Sequence, residues 1–188
     1  MSLPDDLAAC LDRAFGLLAD GVGNRRAPFH TPTLATIGLD GAPRARTLVL
    51  RGFDPAARTL RLHTDARSAK VDELGAEPRC AVHCYDAAAG LQIRLEARGR
   101  IHDDATADLA WQASRPTSRM CYAIAPGPGT PIAQPPAAPR DPESGRPNFR
   151  AILVHFHALE WLDLDARGHR RARFAWQDGG LHGTWLVP

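Results

Sequence analysis

Residues 60–70 read Leu60-Arg61-Leu62-His63-Thr64-Asp65-Ala66-Arg67-Ser68-Ala69-Lys70. Leu60 and Leu62 alternate with polar neighbours, which is the period of a strand with one buried face. A polar turn follows, and Ser68 is a favoured N-cap residue for a helix whose first turn holds Lys70. The stretch therefore predicts a strand, a turn and the start of a helix.

Lys70 is the only lysine in a chain whose lysine and arginine residues total 23. A cation in the first turn of a helix is disfavoured by the positive end of the helix dipole. The free N–H groups at that end bind anions such as phosphate. A lysine at this position indicates a bound anion, and a solvated surface lysine is the alternative interpretation.

The composition predicts one domain over residues 1–188, with enough chain to bury a core. A net charge of +2 gives no support to a nucleic-acid or anionic membrane partner. No apolar run is long enough to span a membrane, and no secretion signal is recognisable at the N-terminus. Without a CxxC pair or a zinc-like Cys/His cluster, we expect no metal and a cytoplasmic protein with free thiols at Cys10, Cys80, Cys84 and Cys121.

The N-terminal segment is predicted to be an amphipathic helix, because apolar residues recur at helical spacing from Leu7 to Leu18, with Asp5 and Asp6 in the first turn. Two shorter helices are expected at 70–76 and 104–114. Short strands bounded by turn residues are predicted at 33–39, 44–53, 60–64, 80–85, 91–102, 151–157, 159–164, 170–176 and 184–187. This pattern indicates a mainly β protein with α additions, built as a small antiparallel barrel.

Residues 126–147 hold eight of the 16 prolines and almost no aliphatic side chains. Such a composition predicts a long loop within the domain, because the segment cannot form a packed element. We expect residues 134–146 to hang outside the fold as a mobile flap.

Three segments occur in a characteristic order: Arg46-Thr47-Leu48-Val49-Leu50-Arg51 with Gly52-Phe53-Asp54, then the 63–70 stretch, then Leu91-Gln92-Ile93-Arg94-Leu95-Glu96 before Gly99. Together with Arg173-Phe174 and Trp185 they resemble the pyridoxamine 5'-phosphate oxidase-like split barrels, which bind FMN. The resemblance implies an antiparallel, Greek-key split β-barrel with N-terminal and edge helices. It also implies a homodimer with FMN at the subunit interface, and residues 122–131 that cover part of the flavin pocket.

The chemistry of these segments suits a flavin mononucleotide. Arg46 offers a planar fork and Lys70 a point charge to a phosphate, while Thr64 and Ser68 offer hydroxyl groups. Gln92 carries an amide donor and acceptor for the flavin edge. The resemblance implies cofactor contacts from Arg46, Thr47, Leu48, Val49, Arg51, His63, Thr64, Ser68, Lys70, Gln92 and Arg173.

The resemblance is incomplete at one cofactor position and poor at the substrate positions. Ala69 stands where the oxidases have an arginine immediately before the phosphate-binding lysine, and Arg67 is near enough in the turn to substitute for it. Trp111 stands in place of a tyrosine, Arg115 matches an arginine, and Arg119 stands in place of a serine. Trp111 and Arg115 are therefore the candidate substrate residues of a relative of the oxidase, not of the oxidase itself.

The predicted function is an FMN-dependent oxidoreductase that transfers hydride between a small-molecule substrate and the flavin, with no catalytic residue assigned. A non-catalytic flavin sensor or carrier is the first alternative. A haem-binding split barrel is a weaker one, raised by His83, His155 and His157. A serine hydrolase has no support, because the chain lacks a Gly-x-Ser-x-Gly segment.

Overall fold

The computed structural model describes residues 6–188. Helix α1 (Leu7–Gly23) begins at the N-cap Asp6, whose carboxylate accepts a hydrogen bond from the Ala9 amide at 2.7 Å. The helix is confirmed, but its fully buried residues are Cys10, Ala14, Leu18 and Gly21, whereas the predicted Leu7, Leu11 and Phe15 are only partly buried against the core. The second predicted first-turn acid, Asp5, lies outside the described residues.

The described residues form nine strands of a single sheet, and every strand pairing is antiparallel. The strands are β1 (Thr33–Ile37), β2 (Pro43–Thr47), β3 (Gly52–Asp54), β4 (Thr59–Asp65), β5 (Arg79–Asp86), β6 (Leu91–His102), β7 (Phe149–Asp163), β8 (Arg170–Gln177) and β9 (Gly180–Leu186). The main path runs in the order β2-β1-β5-β6-β7-β4-β3, and β8 and β9 branch from β7.

Strand β7 organises the sheet. It pairs with β6 along nearly its whole length, while its first half also pairs with β4 and its second half with β8. Among the described strands, no pairing joins β2 to β3, so the sheet does not close into a barrel. The mainly antiparallel β prediction is confirmed.

Two predicted strand boundaries are wrong. Residues 44–53 do not form one strand, because the chain leaves the ladder after Thr47 and the Leu50 amide bonds to the His30 carbonyl at 2.8 Å. Residues 151–157 and 159–164 belong to the single strand β7. The apparent break is a bulge, since Glu96 pairs with Ala158 and Ala97 with Phe156.

Three short helices lie at the edges of the sheet: α2 (Ala69–Ala76), α3 (Ala105–Gln112) and α4 (Pro116–Arg119). Asp104 caps α3 by accepting from the Thr106 amide at 2.9 Å. Ser68 occupies the N-cap position of α2, but its side chain makes no capping bond there. Within the described residues, no helix is both long and apolar enough to cross a membrane.

The core has two parts. The larger lies inside the curved sheet beneath α1 and includes Phe156 and Trp161. Cys84 is buried in it and Cys80 packs against it, and burial raises the pKa of each thiol to about 12. The smaller core joins α3 to the start of β7 and contains Ala107, Ala110, Trp111, Phe149 and Ala151.

The C-terminal end of the proline-rich loop is held by contacts with α3. Residues 126–142 form no helix or strand, and a 3-10 helix follows at Glu143–Asn148. Glu143 accepts a hydrogen bond from the Trp111 indole at 3.1 Å, and Arg146 forms an ion pair with Asp108. The expectation that residues 134–146 lie outside the fold is therefore wrong at their C-terminal end.

Candidate functional site

Lys70 lies partly buried at the start of α2. Its ammonium donates to the Thr64 hydroxyl at 3.1 Å and to the Ser68 hydroxyl at 2.5 Å. Burial and then the Arg46 charge lower the pKa of Lys70, against opposing effects of Glu73 and Asp65. Within the described part of the chain, no carboxylate forms an ion pair with Lys70. Its hydrogen-bond partners are neutral, so the cation has unused capacity for an anion.

Arg46 reaches the same helix through a buried carboxylate. Its guanidinium donates to Glu73 Oε2 at 2.7 Å, and the Thr36 hydroxyl donates to the same oxygen at 2.6 Å. Glu73 follows Lys70 by three residues, so both side chains lie on one face of α2. We call Arg46, Thr64, Ser68, Lys70 and Glu73 the lysine cluster. The sequence analysis did not identify Glu73, although its three-residue spacing from Lys70 would have placed both side chains on one face of a helix.

Arg67 does not join the lysine cluster. Its guanidinium forms a fork with Asp65 at 2.9 and 2.6 Å. It also donates to the carbonyl oxygens of Tyr122, at 3.3 Å, and Ile124, at 2.9 Å. Arg67 thus fastens the start of the proline-rich loop to the turn after β4, which accounts for its donors without a ligand.

A cavity of about 340 Å³ lies between the end of α1, the β3–β4 hairpin and the α3–α4 corner. Its described lining contains no carboxylate, and it includes the hydroxyl groups of Ser114, Thr117 and Ser118. Six basic side chains line it: Arg25, His30, Arg51, Arg61, His63 and Arg115. We call this the arginine cavity. It brings the predicted cofactor residues Val49, Arg51 and His63 beside the predicted substrate residue Arg115.

His63 is a neutral group in this basic cavity. Its ring packs edge-on against Phe149 with centroids 4.8 Å apart, and Nε2 is buried without a hydrogen-bond partner in the described chain. Burial, followed by the charges of Arg61 and Arg51, lowers the pKa of His63 to about 3. The imidazole therefore carries no charge near neutral pH.

His30 was missed by sequence reasoning. Its Nδ1 lies 2.6 Å from the Gly21 carbonyl oxygen, which can only accept, so Nδ1 donates and leaves Nε2 for other contacts. A Cβ at Gly21 would come within 2.8 Å of the Phe29 backbone. Glycine at this position allows α1 to approach the residue 28–30 turn closely enough to orient His30.

The lysine cluster and the arginine cavity flank the end of β4. Leu62 and Thr64 are buried on the inner face of this strand, and Arg61 and His63 alternate with them on the face that lines the cavity. A ligand that contacts both groups must therefore pass the end or the edge of β4.

Gln92 and Arg173 do not meet the lysine cluster within one chain. Gln92 accepts from His83 Nε2 at 3.1 Å, and Arg173 forms a fork with Glu96 at 2.5 and 2.9 Å. Along β7, Thr64 pairs with Arg150 and Gln92 pairs with Leu162, so the two residues lie twelve positions apart on that strand. Of the other predicted cofactor residues, Thr47 is exposed at the end of β2 and Leu48 packs against the larger core.

Trp111 is a core residue and does not line the arginine cavity. Only 5% of it is exposed, and its indole N–H donates to Glu143. Arg119 lies 5.0 Å over the Trp111 ring and also pairs with Glu143. Trp111 and Arg119, two of the three positions that the resemblance compared with the substrate site, therefore hold the end of the proline-rich loop through Glu143.

The three histidines that raised the haem alternative do not converge. His83 bonds to Gln92, His155 donates to the Ala57 carbonyl at 2.8 Å, and His157 lies 3.8 Å from Glu96. Among residues 6–188, no group of three or more His, Cys, Asp or Glu side chains is placed to hold a metal ion.

Known proteins of similar sequence show the family to which this chain belongs. The family described as "Pyridoxamine 5'-phosphate oxidase, FMN-binding domain" matches residues 16–103. Pyridoxine/pyridoxamine 5'-phosphate oxidase 2 of Arabidopsis thaliana is 32% identical in an alignment 143 positions long that covers 70% of this chain and 72% of the relative. This chain belongs to the pyridoxamine 5'-phosphate oxidase family. The resemblance predicted from the sequence is confirmed.

Other members of the family extend the likeness over the whole chain. The crystal structure of a pyridoxamine 5'-phosphate oxidase-related, FMN binding protein from Nostoc punctiforme PCC 73102 covers 100% of both chains, with a TM-score of 0.78 and 26% identity. The pyridoxine/pyridoxamine 5'-phosphate oxidase of Caulobacter vibrioides is 28% identical in an alignment 172 positions long that covers 83% of this chain and 74% of that enzyme. The split-barrel prediction is confirmed.

Proposed function

We propose that this chain binds FMN and acts as an oxidoreductase that transfers hydride between a small anionic molecule and the flavin. One observation carries the proposal: a lysine ammonium bonded only to neutral hydroxyl groups stands beside a cavity lined by arginines without carboxylate partners. FMN supplies two-electron redox chemistry when bound, and the protein supplies binding and orientation.

The lysine cluster fits the FMN phosphate. A phosphomonoester carries close to two negative charges, and Lys70 offers it a positive charge that no carboxylate offsets among the described residues. The hydroxyls of Thr64 and Ser68 already bond to Lys70, so all three groups converge on the same space. Arg46 is held beside the same helix by Glu73, which offsets its charge, so Arg46 would add hydrogen-bond donors to the phosphate rather than a second full charge.

The arginine cavity fits the substrate. Arg51 and Arg115 can hold an anionic group in a bidentate manner, and the neutral His63 forms part of the wall without adding a charge. Val49 and Arg51 belong both to the predicted flavin-binding segment and to the cavity lining. A substrate held there would therefore lie next to the flavin, which is the orientation that hydride transfer needs.

A second copy of the chain would complete the cofactor site. Gln92 and Arg173 do not reach the lysine cluster of their own chain, so in our proposal they are supplied by the partner subunit. An unpaired edge supports such a contact: β9 pairs only with β8, and its apolar Leu181 and Trp185 remain 49% and 43% exposed. Exposed edge strands of this kind favour association.

A non-catalytic flavin carrier is the second candidate, and one observation favours it. Trp111 and Arg119, at positions where the oxidases bind substrate, are both engaged by Glu143. A carrier needs the cofactor site and no substrate site.

Anaerobic mixing experiments separate these two functions. The FMN-loaded protein is mixed with pyridoxamine 5'-phosphate, NADH or NADPH, and the flavin absorbance is followed. Bleaching that is slowed in Arg115→Gln, but not in the matched surface variant Arg140→Gln, supports the oxidoreductase. FMN that binds to the protein but is not bleached by any of the three donors supports the carrier.

A further inference from the structure

We propose that the arginine cavity binds a substrate with two separate acidic groups, and this inference rests on the proposed function of the cavity as the substrate site. Four guanidinium groups, from Arg25, Arg51, Arg61 and Arg115, line a space of about 340 Å³. Among residues 6–188, none of these four forms an ion pair with a carboxylate.

The charge in the cavity exceeds what one acidic group can balance. The whole chain has a net charge of +2, so four unpaired arginines at one place are a concentrated excess. Elsewhere, arginines such as Arg46, Arg119 and Arg146 are offset by Glu73, Glu143 and Asp108. A phosphate dianion in the cavity offsets about two of its four positive charges, so two positive charges remain for a second acidic group of the ligand.

Arg61 is built into the cavity wall. One terminal N–H group donates to the Arg51 carbonyl at 2.9 Å, which fixes the guanidinium. Its Nε is buried beside Gly52 and has no partner among the described residues, so the other terminal N–H groups of Arg61 are the donors left for a ligand in the cavity. A Cβ at Gly52 would lie 3.3 Å from this Nε, so the glycine leaves room for the side chain to lie flat.

The cations come from separate elements, which spaces them around the ligand. Arg25 follows α1, Arg51 and Arg61 belong to the β3–β4 hairpin, and Arg115 precedes α4. Arg119 is directed away to Glu143 and contributes nothing to the cavity lining. A compact molecule with an acidic group at each end fits this arrangement better than one with a single acidic end.

A matched pair of probes tests this inference. Glycerol 3-phosphate and 3-phosphoglycerate have the same chain length and differ by a terminal carboxylate in place of a hydroxymethyl group. Binding of each to the FMN-saturated protein is measured by calorimetry, in the wild type and in Arg61→Gln, Arg25→Gln and Arg26→Gln. Arg25 is exposed, so its variant remains informative if Arg61→Gln fails to fold, and Arg26 is an exposed neighbour outside the cavity lining.

We expect 3-phosphoglycerate to bind about tenfold tighter than glycerol 3-phosphate, as one added charge-assisted contact provides. Arg61→Gln or Arg25→Gln should remove most of this preference, whereas Arg26→Gln should keep it. Equal affinities for the two probes, an equal loss in Arg26→Gln, or displacement of FMN by 3-phosphoglycerate would overturn the inference.

A separate titration with FMN alone tests the proposed function independently of the second acidic group. A protein that fails to bind FMN but keeps the preference for 3-phosphoglycerate refutes the flavoprotein proposal and retains a diacid site. A protein that binds FMN but does not distinguish the probes retains the proposed function and refutes the second acidic group.

Discussion

Lys70 is a partly buried cation whose hydrogen-bond partners are neutral hydroxyl groups. Several other partly buried cations, such as Arg46 and Arg171, face a carboxylate within 2.8 Å, whereas Arg51 and Arg61 of the arginine cavity pair with none among the described residues. A cation without such a partner keeps most of its electrostatic attraction for a ligand, and Lys70 is therefore the residue at which phosphate recognition can be isolated.

Lys70→Met should weaken FMN binding by about 1.5–3 kcal/mol, because one charge-assisted contact to the phosphate is lost. Riboflavin has no phosphate, so its affinity should be the same in the wild type and the variant. Fluorescence titration of both flavins measures this, with the exposed Arg140→Met as the control. An equal loss for FMN and riboflavin would indicate damage to the fold and no phosphate contact at Lys70.

His63 should make the protein sensitive to acid. Its pKa is about 3 in the folded protein against an ordinary value of 6.5, so between these values the unfolded chain binds a proton that the folded chain does not. The free energy of unfolding must therefore fall as the pH is lowered from about 6.5 towards 3. Urea denaturation at a series of pH values should show a smaller fall for His63→Gln than for the wild type. The exposed His182→Gln serves as the control, and identical curves for His63→Gln and the wild type would contradict a buried neutral imidazole.

At the scale of elements, the docking of α2 depends on Glu73. This carboxylate is buried and accepts from Arg46 and Thr36, which belong to two neighbouring strands. The contact sets the position of α2, and with it the position of Lys70 over Thr64.

Glu73→Ala should lower the free energy of unfolding by about 2–4 kcal/mol, since it leaves Arg46 and the Thr36 hydroxyl without their acceptor. Glu73→Gln should cost less, because its amide oxygen can still accept from both. Urea denaturation measures the difference, and Glu77→Gln, which removes an exposed ion pair with Arg79, should change little. Equal, small effects of Glu73→Ala and Glu73→Gln would show that α2 is held by its apolar contacts alone.

Local sequence signals predicted some elements correctly and not others, for physical reasons. The strand, turn and helix of residues 60–70 follow from alternation and an N-cap residue, which are local properties. The break at Leu48–Arg51 was not predictable in the same way, because it results from contacts with residues 30–32. The bulge near Ala158 likewise depends on the register with β6.

The two parts of the candidate site also differ in how far local sequence signals predict them. The lysine cluster was largely predictable, because Thr64, Ser68 and Lys70 are close in the sequence. The arginine cavity was not, since Arg25, Arg61 and Arg115 are separated by dozens of residues and meet only in the fold. Trp111 was placed in the substrate site by resemblance, and nothing local indicated that Glu143 would accept its N–H.

At the scale of the whole molecule, the proposal requires two chains for each flavin, and subunit mixing tests this requirement. In a dimer of Lys70→Met and Arg173→Ala subunits, one site combines both substitutions and the other combines neither. Mixing the two variants under exchange conditions should therefore restore tight FMN binding in a fraction of sites, as measured by flavin fluorescence. Binding that stays at the level of the separate variants would contradict a shared site.

The central claim, that this chain is a flavoprotein, is tested most directly by the visible absorption spectrum of the purified full-length protein, before and after titration with FMN. We predict the two bands of protein-bound flavin, growing to one FMN for each chain and released on denaturation as FMN. A Soret band would indicate haem, and a colourless protein whose spectrum FMN leaves additive would contradict the claim.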